Sequence, residues 1–141
     1  MSEVPPGIPK DAEEVSRGGF NRFVGPLFRL SSEEDGVVQR FAFAIADQHM
    51  NGAGAVHGGM LMTFMDVAMS QSARRATGAR GCNTVSLTCD FVGPAKLGEV
   101  VEARVRITRQ TRTIVFMAGE LACGDRKILV GTGLWKILVD T

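Results

Sequence analysis

The chain has 141 residues, of which 45% are hydrophobic and 22% are charged, close to the average of globular domains. This length predicts one domain, and the composition excludes a disordered or collagen-like chain. Sixteen basic residues against fifteen acidic ones give a formal net charge of +1, without the basic excess typical of nucleic-acid-binding proteins.

The first 19 residues are rich in proline, glycine and charge, and they predict an arm or a loosely docked segment. They lack the basic start and apolar run of a signal peptide, and no apolar stretch is long enough to span a bilayer. Cys82, Cys89 and Cys123 include no close pair, which argues against a disulfide framework or a structural zinc site. We therefore expect a cytoplasmic protein that does not bind membranes, folded over residues 20–141.

Two β-elements are predicted before the middle of the chain. Residues 20–30 are apolar but interrupted by a Gly-Pro pair, which predicts a short or edge strand. Residues 31–36 end in an Asp-Gly pair and predict a hairpin turn. Residues 37–46 then predict a strand. Three of its apolar side chains lie on one face: Phe41, Phe43 and Ile45.

The hydrophobic period changes in residues 56–76, where apolar side chains surround the helical wheel almost completely. A helix of this kind is buried, and this one is too short to span a membrane. Gly58 and Gly59 lie at its start. Two arginines and then Gly78 lie at its end, as the helix dipole and the preference for glycine caps favour.

Alternation with a period of two predicts four strands after the helix, joined by short turns. They cover residues 84–91, 101–108, 113–123 and 127–140. The first of them has a polar side chain at every second position: Thr84, Ser86, Thr88 and Asp90. A helix that is apolar on all sides needs a sheet curved around it and a partner that covers its remaining side. We therefore expect an α+β fold and a dimer as the smallest assembly.

The residues that most suggest chemistry precede the helix and enter it. A glycine-rich loop runs from Asn51 through His57 into Gly58, and glycine at a helix N-terminus lets a ligand approach the backbone N–H groups closely. The helix dipole favours negative charge there, so this end could polarise a carbonyl oxygen. Asp66 lies two turns further on among apolar residues, where a carboxylate must meet polar partners or be held neutral. Such a group suits general-base or nucleophilic work.

Each of these residues also has a purely structural interpretation. Glycine pairs mark ordinary turns, and an asparagine in a glycine-rich loop is typically a turn residue. A solitary helix aspartate often forms a structural ion pair, and methionines at helical spacing indicate core packing. We interpret Thr84 and Ser86 as solvated side chains, His49 as a loop residue, and Asp90 as a carboxylate in solvent or in a salt bridge.

Two patterns together resemble a known family. They are N-x-x-G-x-x-H-G-G-x-x-x-x-x-x-D in residues 51–66 and the strand TVSLTCDFVGPAKLGE in residues 84–99. They resemble the hotdog-fold acyl-CoA thioesterases, above all the phenylacetate-degradation type that includes thioesterase superfamily member 2. The resemblance covers residues 48–139. It implies an α+β hotdog fold, in which a six-stranded antiparallel sheet wraps a long central helix.

The resemblance also implies roles for five residues. The amide of Gly58 would hold the thioester carbonyl with help from Asn51, while His57 would orient the loop and the thioester. Asp66 would activate water or attack the carbonyl, reaching the other three residues across a dimer interface. Thr84 would place the water.

Further residues are expected to bind the substrate. Met and Phe side chains beside the carboxylate suggest an apolar acyl slot that adapts to varied shapes. Its expected lining residues are Gly59, Met62, Met65, Ser86 and Phe91. By resemblance, Arg109 and Arg112 lie near the coenzyme A phosphates, which suits arginine. No metal or cofactor is implied, since coenzyme A is part of the substrate, and the homodimer commonly doubles to a tetramer in this family.

The expected reaction is hydrolysis of an acyl-CoA to a free acid and coenzyme A. One alternative is a hotdog enoyl-CoA hydratase or dehydratase, which also uses a loop histidine with a helix carboxylate. Another is a non-catalytic hotdog domain that binds acyl-CoA. The sequence leaves open the acyl group and whether Asp66 acts as base or nucleophile.

Overall fold

A helix of 20 residues, α2 (Gly58–Thr77), lies against an antiparallel sheet of seven strands in the computed structural model, which describes residues 2–139. The other elements are β1 (Glu13–Glu14), α1 (Gly19–Val24), β2 (Phe28–Arg29), β3 (Gln39–Ala44), β4 (Cys82–Phe91), β5 (Val100–Gln110), β6 (Ile114–Cys123) and β7 (Arg126–Ile137). The strands lie in the order β1-β2-β3-β5-β6-β7-β4. The predicted succession of strands, long helix and four strands is confirmed, and the two-residue β1 brings the predicted six strands to seven.

The central helix forms where the sequence predicts it, within two residues at each end. It ends at Gly78, which has a φ of 68° in the left-handed region that glycine adopts without strain. Its buried face packs against β3 to β7. The buried side chains are Met60, Leu61, Phe64, Met65, Val67, Ala68, Met69, Ser72 and Ala73. Burying each of the larger apolar ones stabilises the fold by about 1.5–3 kcal/mol.

Glycines in β7 let the helix and a tryptophan lie close to the sheet. A Cβ on Gly131 would lie 3.2 Å from the carbonyl oxygen of Thr88 on β4, tighter than most real contacts, and would touch Met65 of α2 at an ordinary 3.6 Å. A Cβ on Gly133 would lie 2.8 Å from the ring of Trp135, which is fully buried, and 2.5 Å from the carbonyl oxygen of Ser86 on β4. The close packing of α2, β7 and β4 therefore depends on these two positions.

The N-terminal part of the chain differs from the prediction. The first residues do not stand apart as an arm, because β1 pairs with β2 and Ile8 and Val15 are buried. The predicted strand over residues 20–30 is wrong in its first half, which forms α1. The Gly-Pro pair at residues 25–26 separates that helix from Phe28, which is buried in β2.

Strand β4 carries a β-bulge that the regular alternation of its sequence did not predict. Thr84 pairs with Trp135 and Ser86 with Leu134, so Val85 is an extra residue on the β4 side. Since paired residues share a face, Thr84 points to the side of the buried Trp135 and Ser86 to the opposite side. Thr84 and Ser86 are both exposed, as predicted, but the prediction that they share one face is wrong.

One edge of the sheet is a long, exposed strand. Within the described part of the chain, β4 pairs with β7 alone, so its outer edge has unpaired backbone groups over ten residues. Its apolar side chains are poorly covered: Val85 is 56% exposed and Phe91 is 51% exposed. Edges of this length and character attract a further strand.

The remaining predicted elements are close to the observed ones. Residues 31–36 form a turn with one turn of 3₁₀ helix, and Phe41, Phe43 and Ile45 are buried as predicted. The turn predicted at residues 109–112 begins later, because β5 continues to Gln110. Asp140, placed in the last strand, lies outside the described residues. Within residues 2–139 neither helix has the length and hydropathy to cross a membrane.

An ion pair clamps the β6–β7 turn to the start of β5. Arg126 donates to the Glu99 carboxylate at 2.5 Å, and the backbone N–H of Lys96 donates to it at 2.7 Å. Hydrogen bonding from Arg126, and then from that N–H, lowers the pKa of the Glu99 carboxyl below its ordinary value of 4.5.

The clamp predicts how stability depends on pH. Because the pKa of Glu99 is lower in the folded state, its contribution is complete above pH 4.5 and is lost as the pH falls through the folded value. We expect Glu99→Gln to flatten the acid side of the curve of unfolding free energy against pH. Denaturant unfolding at several pH values measures it, with Glu3→Gln as the control on an exposed side chain. If unfolding free energy falls equally steeply with decreasing pH in Glu99→Gln and in wild type, the clamp does not cause the acid dependence.

Candidate active site

The loop that leads into α2 is closed by its own asparagine. The side-chain oxygen of Asn51 accepts from the N–H groups of Ala53 at 2.8 Å and Ala55 at 3.1 Å. The Asn51 N–H donates to the carbonyl of Ala55 at 2.7 Å. Because the oxygen is occupied in this way, the NH₂ end of the amide is a donor left for a ligand.

The histidine at the start of α2 bonds the N–H of only one of the two glycines that follow it. His57 is the N-cap residue, and its Nδ1 accepts from the N–H of Gly59 at 2.8 Å. A neutral imidazole that accepts at Nδ1 carries its proton on Nε2. The Gly58 N–H, one residue earlier, has no acceptor within residues 2–139. The first turn of α2 therefore presents one unpartnered donor at the positive end of the helix dipole.

A phenylalanine covers this helix end closely. A Cβ on Gly58 would lie 3.3 Å from Cε1 of Phe91, which is tighter than most real contacts. Glycine at this position therefore lets the ring of Phe91 and the backbone approach each other. The half-exposed ring forms an apolar wall beside the open N–H.

A second histidine holds the loop in place, and the sequence analysis missed it. His49 is 2% exposed; its Nδ1 accepts from the N–H of Ala46 at 3.0 Å, and its Nε2 lies 2.5 Å from the carbonyl oxygen of Val24. Its own carbonyl accepts from the N–H of His57 at 2.8 Å, and its ring meets Phe43 edge-on. His49 therefore ties α1, β3 and the start of α2 together. Nothing in the local sequence pattern marks this role, because the bonded groups are distant in sequence.

The predicted carboxylate and hydroxyl come together. The Thr84 hydroxyl donates to the Oδ1 atom of Asp66 at 2.6 Å, between the start of β4 and the middle of α2. The carboxylate is half-buried. The β-bulge at Val85 makes the contact possible, because an unbroken alternation would point Thr84 to the other face.

One chain does not bring all the predicted residues to one point. Gly58 and Asp66 lie eight residues apart on the same helix, which is about 12 Å along its axis. Within one chain, Asp66 and Thr84 are in contact, and the open N–H of Gly58 lies apart from them.

The residues expected to bind substrate lie in different settings. Met62 is half-buried on α2, Met65 is fully buried in the core, and Ser86 is exposed on the β4 face opposite Thr84. Arg109 and Arg112 are exposed at the β5–β6 hairpin. Gly59 is exposed, but its N–H is already bonded. Asp90 is exposed at the far end of β4.

The thiols and acidic groups do not build a second centre in the part of the chain described. Burial raises the pKa of the thiols of Cys82, Cys89 and Cys123, so they are less ready than ordinary cysteines to form thiolates. Residues 2–139 contain no group of three or more His, Cys, Asp or Glu side chains that could hold a metal ion. That neither metal nor cofactor takes part stays a prediction.

Known proteins resemble this chain in sequence and in fold. The model of the Thioesterase superfamily matches residues 53–130. The acyl-coenzyme A thioesterase 13 of Mus musculus is 29% identical over 117 residues, which are 82% of this chain and 81% of that protein.

Two solved structures share the fold. Zebra fish thioesterase superfamily member 2 superposes with a TM-score of 0.75 at 24% identity, over 86% of this chain and 88% of that one. The Escherichia coli PaaI protein from the phenylacetic acid degradation operon superposes with a TM-score of 0.71 at 19% identity, over 82% of this chain and 81% of that one. The likeness confirms the expected α+β hotdog fold, with seven strands in place of six.

The role of His49 predicts a large loss of stability on its replacement. His49→Leu leaves the N–H of Ala46 and the carbonyl of Val24 without partners, which we expect to lower the free energy of unfolding by about 2–4 kcal/mol. Denaturant unfolding at a fixed protein concentration measures it. Gln48→Leu is the matched control, since that exposed side chain makes one long contact, of 3.4 Å, with the carbonyl of Gly25. Equal losses in both variants would show that His49 does not hold the loop.

Proposed function

Since this chain belongs to the thioesterase superfamily and is a thioester hydrolase of the hotdog fold, we propose that its substrate is an acyl-CoA and that two subunits of a homodimer share each active site. One observation carries the proposal. The unpartnered Gly58 N–H and the Asp66–Thr84 pair are complementary parts of a hydrolytic site, and one chain keeps them apart.

The geometry of β4 supports the shared site. Thr84, which bonds Asp66, lies near one end of the strand, and Phe91, which covers Gly58, lies at the other end. Pairing two copies of this exposed edge antiparallel about Leu87 brings the Thr84 end of each beside the Phe91 end of the other. The same symmetric contact forms two sites, pairs the unpaired backbone groups and covers the exposed apolar side chains.

In the proposed reaction the thioester carbonyl accepts from the Gly58 N–H and the NH₂ group of Asn51. As water adds to the carbonyl carbon, negative charge grows on that oxygen, and these donors at the positive end of α2 stabilise it. Binding the developing charge more strongly than the neutral carbonyl lowers the barrier.

On the other side of the carbonyl, Asp66 of the second subunit takes the proton from the attacking water. The Thr84 hydroxyl donates a hydrogen bond to Asp66, so the lone pairs of its oxygen stay free to accept from that water and orient it. The tetrahedral species collapses by breaking the C–S bond, and the proton held by Asp66 passes to the sulfur. The products are a carboxylic acid and coenzyme A. Direct attack of Asp66 on the carbonyl uses the same placement and differs in forming an anhydride.

The proposal extends to the ends of the substrate. Phe91 and Met62 supply an apolar wall for the acyl group, and Arg109 and Arg112 supply charge for the phosphates of coenzyme A. The thioesterase 13 relative is named for acyl-coenzyme A, which supports this substrate class. The three free cysteines suit a reducing compartment such as the cytoplasm, and the cytoplasmic location and the doubling to a tetramer stay predictions.

The central test of the function is the release of coenzyme A thiol. We expect hydrolysis of at least one member of a panel of aryl-, short-chain and long-chain acyl-CoAs, and Asp66→Asn to lower its kcat by about 10²–10⁴-fold, because the general base is lost. Asp125→Asn, which changes an exposed carboxylate in the β6–β7 turn, is the matched control and keeps wild-type kcat. Enoyl-CoA hydration without thiol release would support the hydratase, and binding with neither reaction the non-catalytic domain.

Replacing Gly58 isolates the backbone donor. Proline is well tolerated at the first position of a helix, and His57 already has the extended backbone (φ −68°, ψ 129°) that precedes proline. Gly58→Pro therefore removes the N–H while α2 keeps its fold, and we expect kcat to fall by about 10²–10³-fold. Gly58→Ala places a Cβ against Phe91 but keeps the N–H, so it measures the steric part alone.

The two inactive variants together test whether subunits share the site. When Gly58→Pro and Asp66→Asn chains are mixed, unfolded and refolded, half the dimers are hybrids with one complete site. About one quarter of wild-type activity then returns. If no activity returns although hybrids form, each site lies within one subunit.

A further inference from the structure

A groove beside the C-terminal half of α2 has the character of a binding site. It has a volume of about 380 Å³ and lies between the last turns of α2 and residues of β2, β3, β5 and β6. Volumes of this order hold small organic ligands. Along α2, its nearest lining residue, Ser72, lies about 9 Å from Asp66 and about 21 Å from Gly58. None of the proposed catalytic residues lines the groove, so the two are separate places on the chain.

The groove carries positive charge. It is lined by Arg29, Arg75 and Arg106, and none of its lining residues, all within the described part of the chain, is acidic. Glu13, which lies opposite Arg29 in the pairing of β1 with β2, bonds Arg75 at 2.6 Å. Arg29 and Arg106 form no ion pair with residues 2–139. The guanidinium groups of these two arginines therefore line the cavity without an ion-pair partner of their own.

One donor atom of Arg29 has no partner in the described part of the chain. Its Nε atom is buried and has no hydrogen-bond partner within residues 2–139. A buried, unpaired donor is costly, and such groups in folded proteins usually meet a water, an ion or a ligand. The strand β2 holds Arg29 there, because its neighbour Phe28 is fully buried on the other face of the sheet.

Besides the polar side chains of Gln39 and Ser72, the groove has an apolar part. Val37, Ile107 and Met117 line it, and Val37 is 55% exposed although it is aliphatic. A site for a bare inorganic anion needs no such surface. Arginines beside an apolar floor match a molecule with an anionic oxygen group at one end and a compact hydrocarbon body.

We propose that this groove binds an organic carboxylate with a compact apolar body. The carboxylate accepts from the guanidinium groups of Arg29 and Arg106, and the hydrocarbon part packs on Val37, Ile107 and Met117. The acids released by thioester hydrolysis belong to this chemical class. The site itself does not depend on the proposed function.

Calorimetric titration of the purified full chain tests the proposal, with octanoate, phenylacetate, inorganic phosphate and adenosine diphosphate as probes. We expect saturable binding of a carboxylate that Arg29→Gln and Arg106→Gln each weaken by about tenfold, since each loses a charged hydrogen bond. Arg17→Gln, an exposed arginine outside the groove, is the matched control and leaves binding unchanged. Thermal unfolding verifies that each variant is folded.

Three outcomes overturn the carboxylate site. The first is that neither carboxylate binds, or that both bind equally well to Arg106→Gln. This would leave the arginines with the role of offsetting the negative C-terminal end of α2. The second is that inorganic phosphate binds as tightly as octanoate, which would make the apolar floor irrelevant. The third is that adenosine diphosphate binds in place of the carboxylates and Arg106→Gln raises the KM for acyl-CoA.

The same variants keep this inference distinct from the proposed function. Binding of octanoate that persists in Asp66→Asn, with no thioester cleaved by wild type, would uphold the groove and end the thioesterase proposal. Normal hydrolysis kinetics in Arg106→Gln, together with no carboxylate binding to any variant, would uphold the proposed function and overturn the carboxylate site.

Discussion

One backbone N–H group, that of Gly58, is free at the start of α2, and the proposed function depends on it. Helix ends leave several N–H groups without partners, and most proteins cap them with side chains. Here the His57 imidazole makes the usual capping bond to the second residue of the helix, Gly59, and leaves the N–H of Gly58 open. The loop before it closes on the oxygen of Asn51. A donor that needs no reorganisation when charge develops is the most effective kind in catalysis.

The free donor is kept in position by contacts that reach across the fold. His49 bonds to groups in two other segments, and its carbonyl holds the N–H of His57. Around the middle of α2, the contact between Thr84 and Asp66 depends on a β-bulge next to Thr84. Both arrangements place a polar group where the local pattern alone would not, and bulges beside functional sites commonly do this.

The assembly and the chemistry are linked through β4. The strand presents an exposed apolar edge, with the covered helix end near one terminus and the aspartate–threonine pair near the other. In the proposed dimer, one symmetric pairing removes the exposed edge and completes two sites, so the contact that stabilises the dimer is also the one that brings acid and donor together. The arginine-lined groove at the opposite end of α2 takes no part in that contact as proposed, and it can bind a ligand independently.

The sequence by itself determined the long central helix, the strands after it, the buried face of β3 and the residues of the candidate site. These follow from hydrophobic period, glycine placement and a family motif, all of which act over a few neighbouring residues. Only the tertiary structure decided which glycine keeps a free N–H, that His49 is buried, that α1 replaces a strand, and that Thr84 faces Asp66. Each of these depends on partners distant in the chain: the register of β4 against β7, the Val24 carbonyl, the packing of the N-terminal segment. Local periodicity cannot predict such contacts. A one-residue bulge, for example, reverses the face of a side chain without changing the pattern of residues around it.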